Sequence, residues 1–279
     1  MRGKTIVITG ATSGIGEIAA IRLAEQGGRI VFTARDQKRG QATIEKLRRA
    51  NGVAEHVMHL ADLSLVAEQK RVAGVIAAEP QIDVLINNAG ALFNRRIETR
   101  EGLENTFALN HMSYFTITNL LLGRLKATPG ARIVSVASGA HRGAKLNFDD
   151  LQSRRGYRGF AVYSRSKLCN ILFNRALAKR LAGTGMTANC LHPGFVATRF
   201  ADESGGWIQR LVKLAKSLGA ISPEEGAKTI IYLASSPDVA LVSGEYFYKC
   251  KVETPTAEAQ NDEDAERLWR ESEKIADLG

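Results

Sequence analysis

Short apolar runs alternate along the chain with longer segments in which apolar residues recur every three or four positions. The runs are rich in β-branched residues, which favour strands, and the longer segments have the spacing of amphipathic helices. The pattern predicts strands at residues 5–9, 29–33, 56–60, 84–87, 132–137, 187–192 and 245–248. It predicts helices near residues 14–26, 37–50, 65–78, 100–127, 158–182 and 223–235. This alternation indicates an α/β fold, with a doubly wound, seven-stranded, mainly parallel sheet and helices on both faces.

Nothing in the pattern divides the chain into separate units. We find no repeat, low-complexity linker or change of composition within residues 1–250, so residues 1–279 are predicted to form a single domain. The tail of residues 254–279 is acidic and polar until residues 265–278. That final stretch fits either a helix docked on the domain or a segment that frays in solvent.

Composition narrows the class of protein. The chain is 44% hydrophobic and 24% charged, which is typical of a globular protein, and its formal net charge is +9. The basic residues are spread out with no run of five, which argues against nucleic-acid binding, and a polyanionic cofactor accounts for part of the surplus. No stretch has the length of a signal peptide or a membrane span, so a cytoplasmic protein is expected, with peripheral membrane contact left open.

The cysteines and histidines suggest no metal site. Cys169, Cys190 and Cys250 lie far apart without CxxC spacing and are interpreted as buried apolar fillers in a reducing compartment. His111 and His192 lack the accompanying carboxylates or cysteines that a metal would need, so structural roles are expected for both.

A glycine-rich turn joins the first predicted strand to the first predicted helix. Gly10 permits a tight turn, Gly14 lets the backbone approach a pyrophosphate, and Gly16 allows the helix to pack closely on the strand. The helix N-terminus offers free N–H groups to an anion. This context predicts a dinucleotide site in a Rossmann-type fold, and Ser13 and Ile15 are assigned to the same site.

The spacing TGxxxGIG resembles that of the short-chain dehydrogenase/reductase family, and further motifs extend the resemblance over about residues 4–250. Asn87, Asn88, Ala89 and Gly90 resemble the family's NNAG, and residues 163–167 resemble its YxxxK. The Asn110-His111 pair, residues 132–138 and residues 192–194 are most similar to the retinol-dehydrogenase-like branch. The resemblance implies an oxidoreductase that transfers a hydride between a nicotinamide and a carbonyl or alcohol.

Four residues are candidates for the chemistry. Tyr163 and Lys167 are four apart and share one helix face, where an ammonium is expected to lower a tyrosine pKa of about 10 toward the working range. The resemblance makes Tyr163 the acid in reduction and the base in oxidation, and gives Lys167 the nicotinamide ribose as a further partner. Ser138 follows a strand and would polarise the carbonyl, with Ser135 as a competing choice.

The fourth candidate is Asn110. By resemblance its backbone carbonyl holds a water in a proton relay to Lys167. The alternative is an asparagine whose side chain bonds a neighbouring loop.

The end of the second strand bears on the choice of cofactor. A carboxylate there would accept from the 2′-hydroxyl of NAD(H), whereas a guanidinium would bind the 2′-phosphate of NADP(H). By resemblance Ala34 occupies the place of the acid in NAD users and Arg35 that of the basic residue in NADP users, so NADP(H) is expected over NAD(H). Asp36 is then interpreted as a helix N-cap. Asp62 and Leu63 resemble the pair that flanks the adenine, the alternative being a helix cap and a core leucine.

The remaining contacts follow the sixth strand. Pro193, Gly194, Val196 and Thr198 resemble the loop that cradles the nicotinamide carboxamide, although an ordinary Pro-Gly turn is the alternative. Residues 199–221 carry an apolar stripe that is expected to form a lid over an apolar substrate, with core packing or a subunit interface as alternatives. Residues 139–159 are expected to form a second wall of the pocket.

The motifs together predict an NADP(H)-preferring oxidoreductase whose substrate is expected to be an apolar small molecule with a carbonyl or alcohol group. The competing function is a catalytically silent NADP(H)-binding sensor or scaffold, which the full set of candidate residues disfavours. The sequence leaves open a homodimer or a homotetramer.

Overall fold

The computed structural model describes residues 1–196 and 221–278. One sheet runs through this part of the chain in the order β3-β2-β1-β4-β5-β6-β7-β8, with all neighbours parallel except β7 and β8. The strands are β1 (Thr5–Thr9), β2 (Arg29–Ala34), β3 (Val57–Leu60), β4 (Val84–Asn87), β5 (Arg132–Val136), β6 (Thr187–Leu191), β7 (Tyr246–Tyr248) and β8 (Lys251–Val252). The doubly wound, mainly parallel sheet is confirmed, with an eighth strand that the sequence pattern did not predict.

The extra strand follows a tight turn without glycine. Lys249 and Cys250 both have positive φ angles, +48° and +60°, as the two central residues of a type I′ hairpin turn do. β8 has only two residues and both are exposed, so it shows no apolar alternation. Cys250 is partly exposed in this turn, which corrects its interpretation as a buried filler, whereas Cys169 and Cys190 are buried as expected.

Helices cover both faces of the sheet. They are α1 (Gly14–Glu25), α2 (Gln37–Ala50), α3 (Val66–Ile76), α4 (Asn105–Phe107), α5 (Ser113–Lys126), α6 (Gly159–Arg180), α7 (Pro223–Ser235) and α8 (Asp262–Ala276). α7 begins as predicted, with Ser222 accepting from the Glu225 N–H and Pro223 in the first turn. None of the helices in the described ranges is long and apolar enough to cross a membrane.

Strand residues alternate between two hydrophobic clusters. In β1, Ile6 and Ile8 belong to the cluster that includes residues of α1, α2 and α7, while Val7 belongs to the cluster on the other face, which includes residues of α3, α5, α6 and α8. All three side chains are fully buried, because a parallel sheet covered on both sides buries both faces of each strand. The candidate site therefore lies at the carboxyl edge of a sheet that is buried on both faces.

The predicted helix at 100–127 begins later and is interrupted. The fully buried Glu104 caps α4 by accepting from the N–H groups of Thr106 and Phe107, both at 2.8 Å. A π-helical segment, Ala108–Met112, then separates α4 from α5. Such segments occur frequently at functional sites, and this one contains Asn110.

The C-terminal tail forms a docked helix, the first of the two alternatives left by the sequence. Trp269 of α8 is 5% exposed and lies 5.0 Å from the Phe115 ring and 5.7 Å from the Phe173 ring. Asn261 caps α8 by accepting from the Asp264 N–H. α8 therefore packs against α6, the helix that carries Tyr163 and Lys167.

Candidate active site

The glycine-rich turn and the NNAG segment meet at the crevice between β1 and β4. The Asn88 amide donates to the carbonyls of Thr9 and Gly10 at 3.0 and 2.9 Å. A Cβ atom on Gly10 would lie 2.8 Å from Ala89 Cα, and one on Gly16 would lie 2.3 Å from Asn88 Nδ2. Glycine at these two positions is thus required by packing, and the crevice where the strand order reverses is the usual dinucleotide site of such sheets.

The first turn of α1 faces this crevice with its N–H groups uncapped by a side chain. Ser13 is the N-cap residue and makes no side-chain cap hydrogen bond, so the donors of the first turn, from Gly14 onward, remain suited to an anion. A Cβ atom on Gly226 of α7 would lie 2.9 Å from Ile15 and 2.6 Å from Val196. Ile15 and Val196, both assigned to the cofactor, are therefore neighbours in space.

At the end of β2 the structure separates the two candidate ribose readers. Asp36 is the N-cap of α2 and accepts from the Arg39 N–H at 2.7 Å, as the sequence predicted. Arg35 is exposed, and its neighbour Ala34 is 3% exposed at the end of the strand. The Asp36 carboxylate is thus engaged by the helix, and Arg35 is exposed at the end of β2.

The Asp62-Leu63 pair matches neither of its two interpretations in full. Asp62 Oδ1 accepts from the N–H and hydroxyl of Ser64 at 3.0 and 2.7 Å, which closes a local turn and does not cap α3. Leu63 is 5% exposed and belongs to the core.

The three candidate catalytic side chains Ser138, Tyr163 and Lys167 come together. Ser138 lies just beyond β5 and hydrogen-bonds the Tyr163 hydroxyl. Lys167 Nζ donates to the Val136 carbonyl at 3.0 Å and lies 5.7 Å from the centroid of the Tyr163 ring. Ser135, the competing serine, is fully buried within β5.

Burial dominates the protonation of this group. It raises the pKa of Tyr163 to about 12, opposed by the hydrogen bond from Ser138, and lowers the pKa of Lys167 to about 7. The expectation that the ammonium lowers the tyrosine pKa is therefore not met. Burial disfavours the charged form of both groups, so it raises the pKa of Tyr163 and lowers the pKa of Lys167.

The Asn110 side chain ties the NNAG segment to α6. Its Oδ1 accepts from the Ala91 N–H, and its Nδ2 donates to the Ala91 carbonyl and to the Ser166 hydroxyl, all at 2.9 Å. This is the loop-bonding role that the sequence offered as an alternative. A Cβ atom on Gly90 would lie 3.2 Å from Asn110 Oδ1 and 3.4 Å from Lys167 Nζ, so these three residues adjoin one another.

The loop after β6 is described only in part. Gly194 has a φ of +88°, and a Cβ atom there would lie 2.8 Å from Ile221 Cδ1. Pro193 precedes Gly194, and Val196 pairs with Ile221 in an isolated parallel bridge. Thr198 and the predicted lid at 199–221, apart from Ile221, lie outside the described residues.

Two residues with clear roles were missed by sequence reasoning. Thr9 Oγ1 accepts from the N–H groups of Asn88 and Ala89 at 2.9 and 3.1 Å, which holds the NNAG segment to β1. Ser166 donates to the Tyr163 carbonyl at 2.7 Å while it accepts from Asn110. Both lie inside motifs that were recognised, so a hydroxyl within TGxxxGIG or YxxxK was the available signal.

Comparison with known proteins gives consistent matches over the whole chain. A family model described as short chain dehydrogenase matches residues 4–209. Retinol dehydrogenase 14 of Homo sapiens is 42% identical over 296 aligned positions, which cover 100% of this chain and 88% of that protein.

Solved structures share the fold. A protein from Mycobacterium Paratuberculosis matches with a TM-score of 0.79 and 29% identity, covering 99% of this chain and 94% of that chain. A short-chain dehydrogenase from Sphingobium yanoikuyae in complex with NADPH matches with a TM-score of 0.66 and 25% identity, covering 82% of each chain.

Proposed function

The chain belongs to the short-chain dehydrogenase family, in its retinol-dehydrogenase-like branch, and from that premise we propose that it is an NADP(H)-preferring carbonyl reductase or alcohol dehydrogenase whose acid–base residue is Tyr163. Membership makes it an oxidoreductase that moves a hydride between a nicotinamide cofactor and an alcohol or carbonyl. The observation that carries the residue assignment is the hydrogen bond between Ser138 and Tyr163, with Lys167 one helical turn away. Residues 1–279 are taken as one dinucleotide-binding and catalytic domain.

The residues at the crevice fit a dinucleotide. Side chains are absent where the backbone must come closest, at Gly10, Gly14 and Gly16, and the first turn of α1 presents N–H groups to a phosphate. Asn88, Ala89 and Gly90 line the next strand end, and Pro193, Gly194 and Val196 follow β6, where they would hold the nicotinamide. Asp62 and Leu63 remain candidates for the adenine end. When bound, the nicotinamide supplies or accepts the hydride.

The chain's own residues supply the proton. At neutral pH Tyr163 carries its proton, because burial holds its pKa at about 12, and it can donate that proton to the oxygen of a reduced carbonyl. The Ser138 hydroxyl, which is hydrogen-bonded to the same phenol, would bind the substrate oxygen together with Tyr163. Lys167 is held by the Val136 carbonyl beside the phenol and, through its ammonium form, favours the phenolate that remains after transfer. Asn110 fixes the NNAG segment against α6, and a relay from its backbone carbonyl remains part of the proposal.

NADP(H) preference is supported by how the end of β2 uses its charges. Asp36 is engaged as the N-cap of α2, so this carboxylate already has a partner other than a ribose 2′-hydroxyl. Arg35 lies at the surface next to it, where a guanidinium can bind a 2′-phosphate. The neighbour from Sphingobium yanoikuyae, which is in complex with NADPH, is consistent with the same choice.

An apolar substrate is supported by an exposed aromatic residue beside the proposed acid. Phe160 is 61% exposed and its ring centroid lies 6.5 Å from that of Tyr163. Phe195, after β6, is 56% exposed. Large apolar side chains at the mouth of a site favour a substrate that buries matching surface.

The deciding experiment is Tyr163→Phe, which removes one oxygen and keeps the ring. With NADPH and a panel of aldehydes, ketones and retinoids, turnover should fall by roughly two to four orders of magnitude while cofactor affinity is retained. Lys167→Ala should reduce both. Unchanged turnover in Tyr163→Phe would refute the assignment, and cofactor binding by a wild-type protein that turns over no carbonyl or alcohol would favour the sensor.

A further inference from the structure

Two turns at the carboxyl edge of the sheet are bridged by one short segment that follows β8. The first turn, residues 138–142, carries Ser138. The second, residues 192–194, contains Pro193 and Gly194, two of the proposed nicotinamide contacts. The bridging segment, residues 253–256, contacts both and was assigned no role by the motifs.

On the second turn, His192 links this segment to the backbone of Gly194. Its Nε2 lies 3.0 Å from Glu253 Oε2, and its Nδ1 lies 3.3 Å from the Gly194 nitrogen. Because a carboxylate only accepts and an N–H only donates, one neutral tautomer satisfies both contacts, with the proton on Nε2. The ring is further fixed by stacking on Tyr248, with centroids 4.0 Å apart and planes at 13°.

On the first turn, Arg142 reaches the same carboxylate. Its Nη2 donates to Glu253 Oε1 at 2.5 Å. Gly139 lies against both partners, since a Cβ atom there would be 3.0 Å from Arg142 Nη1 and 3.6 Å from His192 Nδ1. One carboxylate therefore holds a residue from each turn, and the turns touch at Gly139.

A second histidine, His141, links the first turn to the bridging segment. His141 Nδ1 lies 2.8 Å from the Ser138 carbonyl, and its Nε2 accepts from the Thr256 N–H at 3.4 Å. His141 is fully buried. The backbone at Ser138 is thus tied to the bridging segment independently of Glu253.

We infer that Glu253 is a positioning residue that, through Arg142 and His192, sets the Ser138 turn against the Pro193–Gly194 turn. The inference rests on the proposed function, which assigns the first turn to the substrate carbonyl and the second turn to the nicotinamide. Misplacing one relative to the other by even 1 Å is costly in such reactions, so Glu253 acts on rate without touching the reacting atoms.

The arrangement has a pH dependence of definite sign. Arg142, Glu253, His141, Tyr246 and Tyr248 are the charged and titratable groups around His192. Burial lowers the pKa of His192 below its usual value, although Glu253 opposes this shift. Protonating Nδ1 would set its N–H against the Gly194 N–H. The contact that holds the second turn therefore requires neutral His192, and it is lost as the pH falls below the ordinary range of histidine.

The test compares Glu253→Ala and Glu253→Gln with Glu263→Ala, an exposed glutamate on α8. Glu253→Ala should lower kcat/KM by roughly 10- to 100-fold, and Glu253→Gln, which keeps volume and an acceptor for His192, by less. In both variants the acid limb of the kcat/KM profile should move to lower pH, because the Glu253 carboxylate no longer raises the pKa of His192. Hydrogen exchange should accelerate together in peptides covering residues 138–142 and 192–196, and the control should match the wild type.

The outcomes separate this inference from the proposed function. Wild-type kinetics and wild-type exchange in Glu253→Ala would overturn the inference. If Glu253→Ala unfolds, Glu253→Gln decides, because an unchanged pH profile and unchanged exchange in that folded variant would also overturn it. Faster hydrogen exchange at both turns in the Glu253 variants supports the bridging role, whether or not the wild type is active. A wild type that turns over no carbonyl or alcohol would instead refute the proposed function.

Discussion

Lys167 shows how a single residue can serve a site and weaken the fold. Its ammonium is buried between the rings of Tyr114 and Tyr163, each 5.7 Å from Nζ, and the Val136 carbonyl is its hydrogen-bond partner. Burial lowers its pKa from 10.5 to about 7, so the folded chain binds fewer protons than the unfolded chain between these values. The cost of the buried charge is therefore complete below about pH 7 and disappears as the pH rises toward 10.5.

From this sign we expect Lys167→Met to stabilise the cofactor-free protein in acid. The gain in melting temperature should be larger at about pH 6 than at about pH 9.5, since only the lower pH buries a charge in the wild type. Thermal unfolding at both values, with the exposed Lys126→Met as the control, measures it. A gain that is equal at the two values, or larger in alkali, would contradict the lowered pKa.

Arg35 carries the prediction on cofactor choice. Arg35→Ala should weaken NADPH binding by about 1.5 to 3 kcal/mol, which is roughly ten- to more than a hundredfold, and leave NADH binding nearly unchanged. Arg49→Ala, at the exposed far end of α2, is the matched control. Calorimetric titration of both cofactors decides the matter, and tighter NADH binding by the wild type would show that another group reads the ribose.

At the scale of elements, the contribution of α8 to the stability of the fold can be tested directly. Trp269 is buried against Phe115 and Phe173, and its indole N–H donates to Glu273 at 2.7 Å. Trp269→Ala should lower the free energy of unfolding by about 3 to 5 kcal/mol, because it opens a large cavity between α8 and α6. Arg270→Ala, exposed on the same helix, should change it by less than about 0.5 kcal/mol. Equal denaturant midpoints for the two variants would show that α8 is not part of the cooperative fold.

The elements that could be predicted from sequence are those with a strong local signal. All seven parallel strands and the N-cap of α7 follow from apolar runs and from a Ser-Pro pair, which act over a few residues. The π-helical segment and β8 could not be predicted, and the docking of α8 could only be offered as one of two alternatives, because each depends on distant partners. The π-helical segment, for example, places His111 where its Nε2 meets Ser272 of α8 at 2.8 Å, a contact across 161 positions.

The residues of the candidate site also divide into those with a local sequence signal and those without one. The glycine turn and YxxxK are local patterns and were found, whereas the bonds of Asn110 to Ala91 and of Glu253 to two turns join residues far apart in sequence. The pKa of Tyr163 was expected to fall and instead rises, because neighbours along a helix reveal a nearby lysine but not the depth at which both are buried.

At the scale of the whole molecule, the proposed cofactor would span the two halves of the sheet. Arg35 and the glycine turn lie on the β1–β2 side of the crevice, and Tyr163 and Gly194 lie beyond β4, on the side of β5 and β6. A ligand that bridges both halves binds the folded chain and not the unfolded one.

Such a ligand should raise the stability of the whole domain. NADPH at 100 times its Kd should add about 2.7 kcal/mol, or roughly 5 °C in melting temperature for a domain of this size. NADH at the same concentration should give a smaller rise. A thermal shift assay with both cofactors checks this, and a shift by neither would count against the dinucleotide site itself.

The position of the bridging segment and α8 in the sequence has a consequence for biosynthesis. Translation delivers the glycine turn, Ser138, Tyr163 and Lys167 before Glu253 and Trp269, and domains fold as their chain emerges. A nascent polypeptide that has reached β7 thus contains every proposed catalytic residue but lacks the groups that align two turns and cover α6. Interrupted synthesis after β7 is therefore expected to leave a product with lower stability and lower turnover, and full turnover to require that the late-made segment has docked.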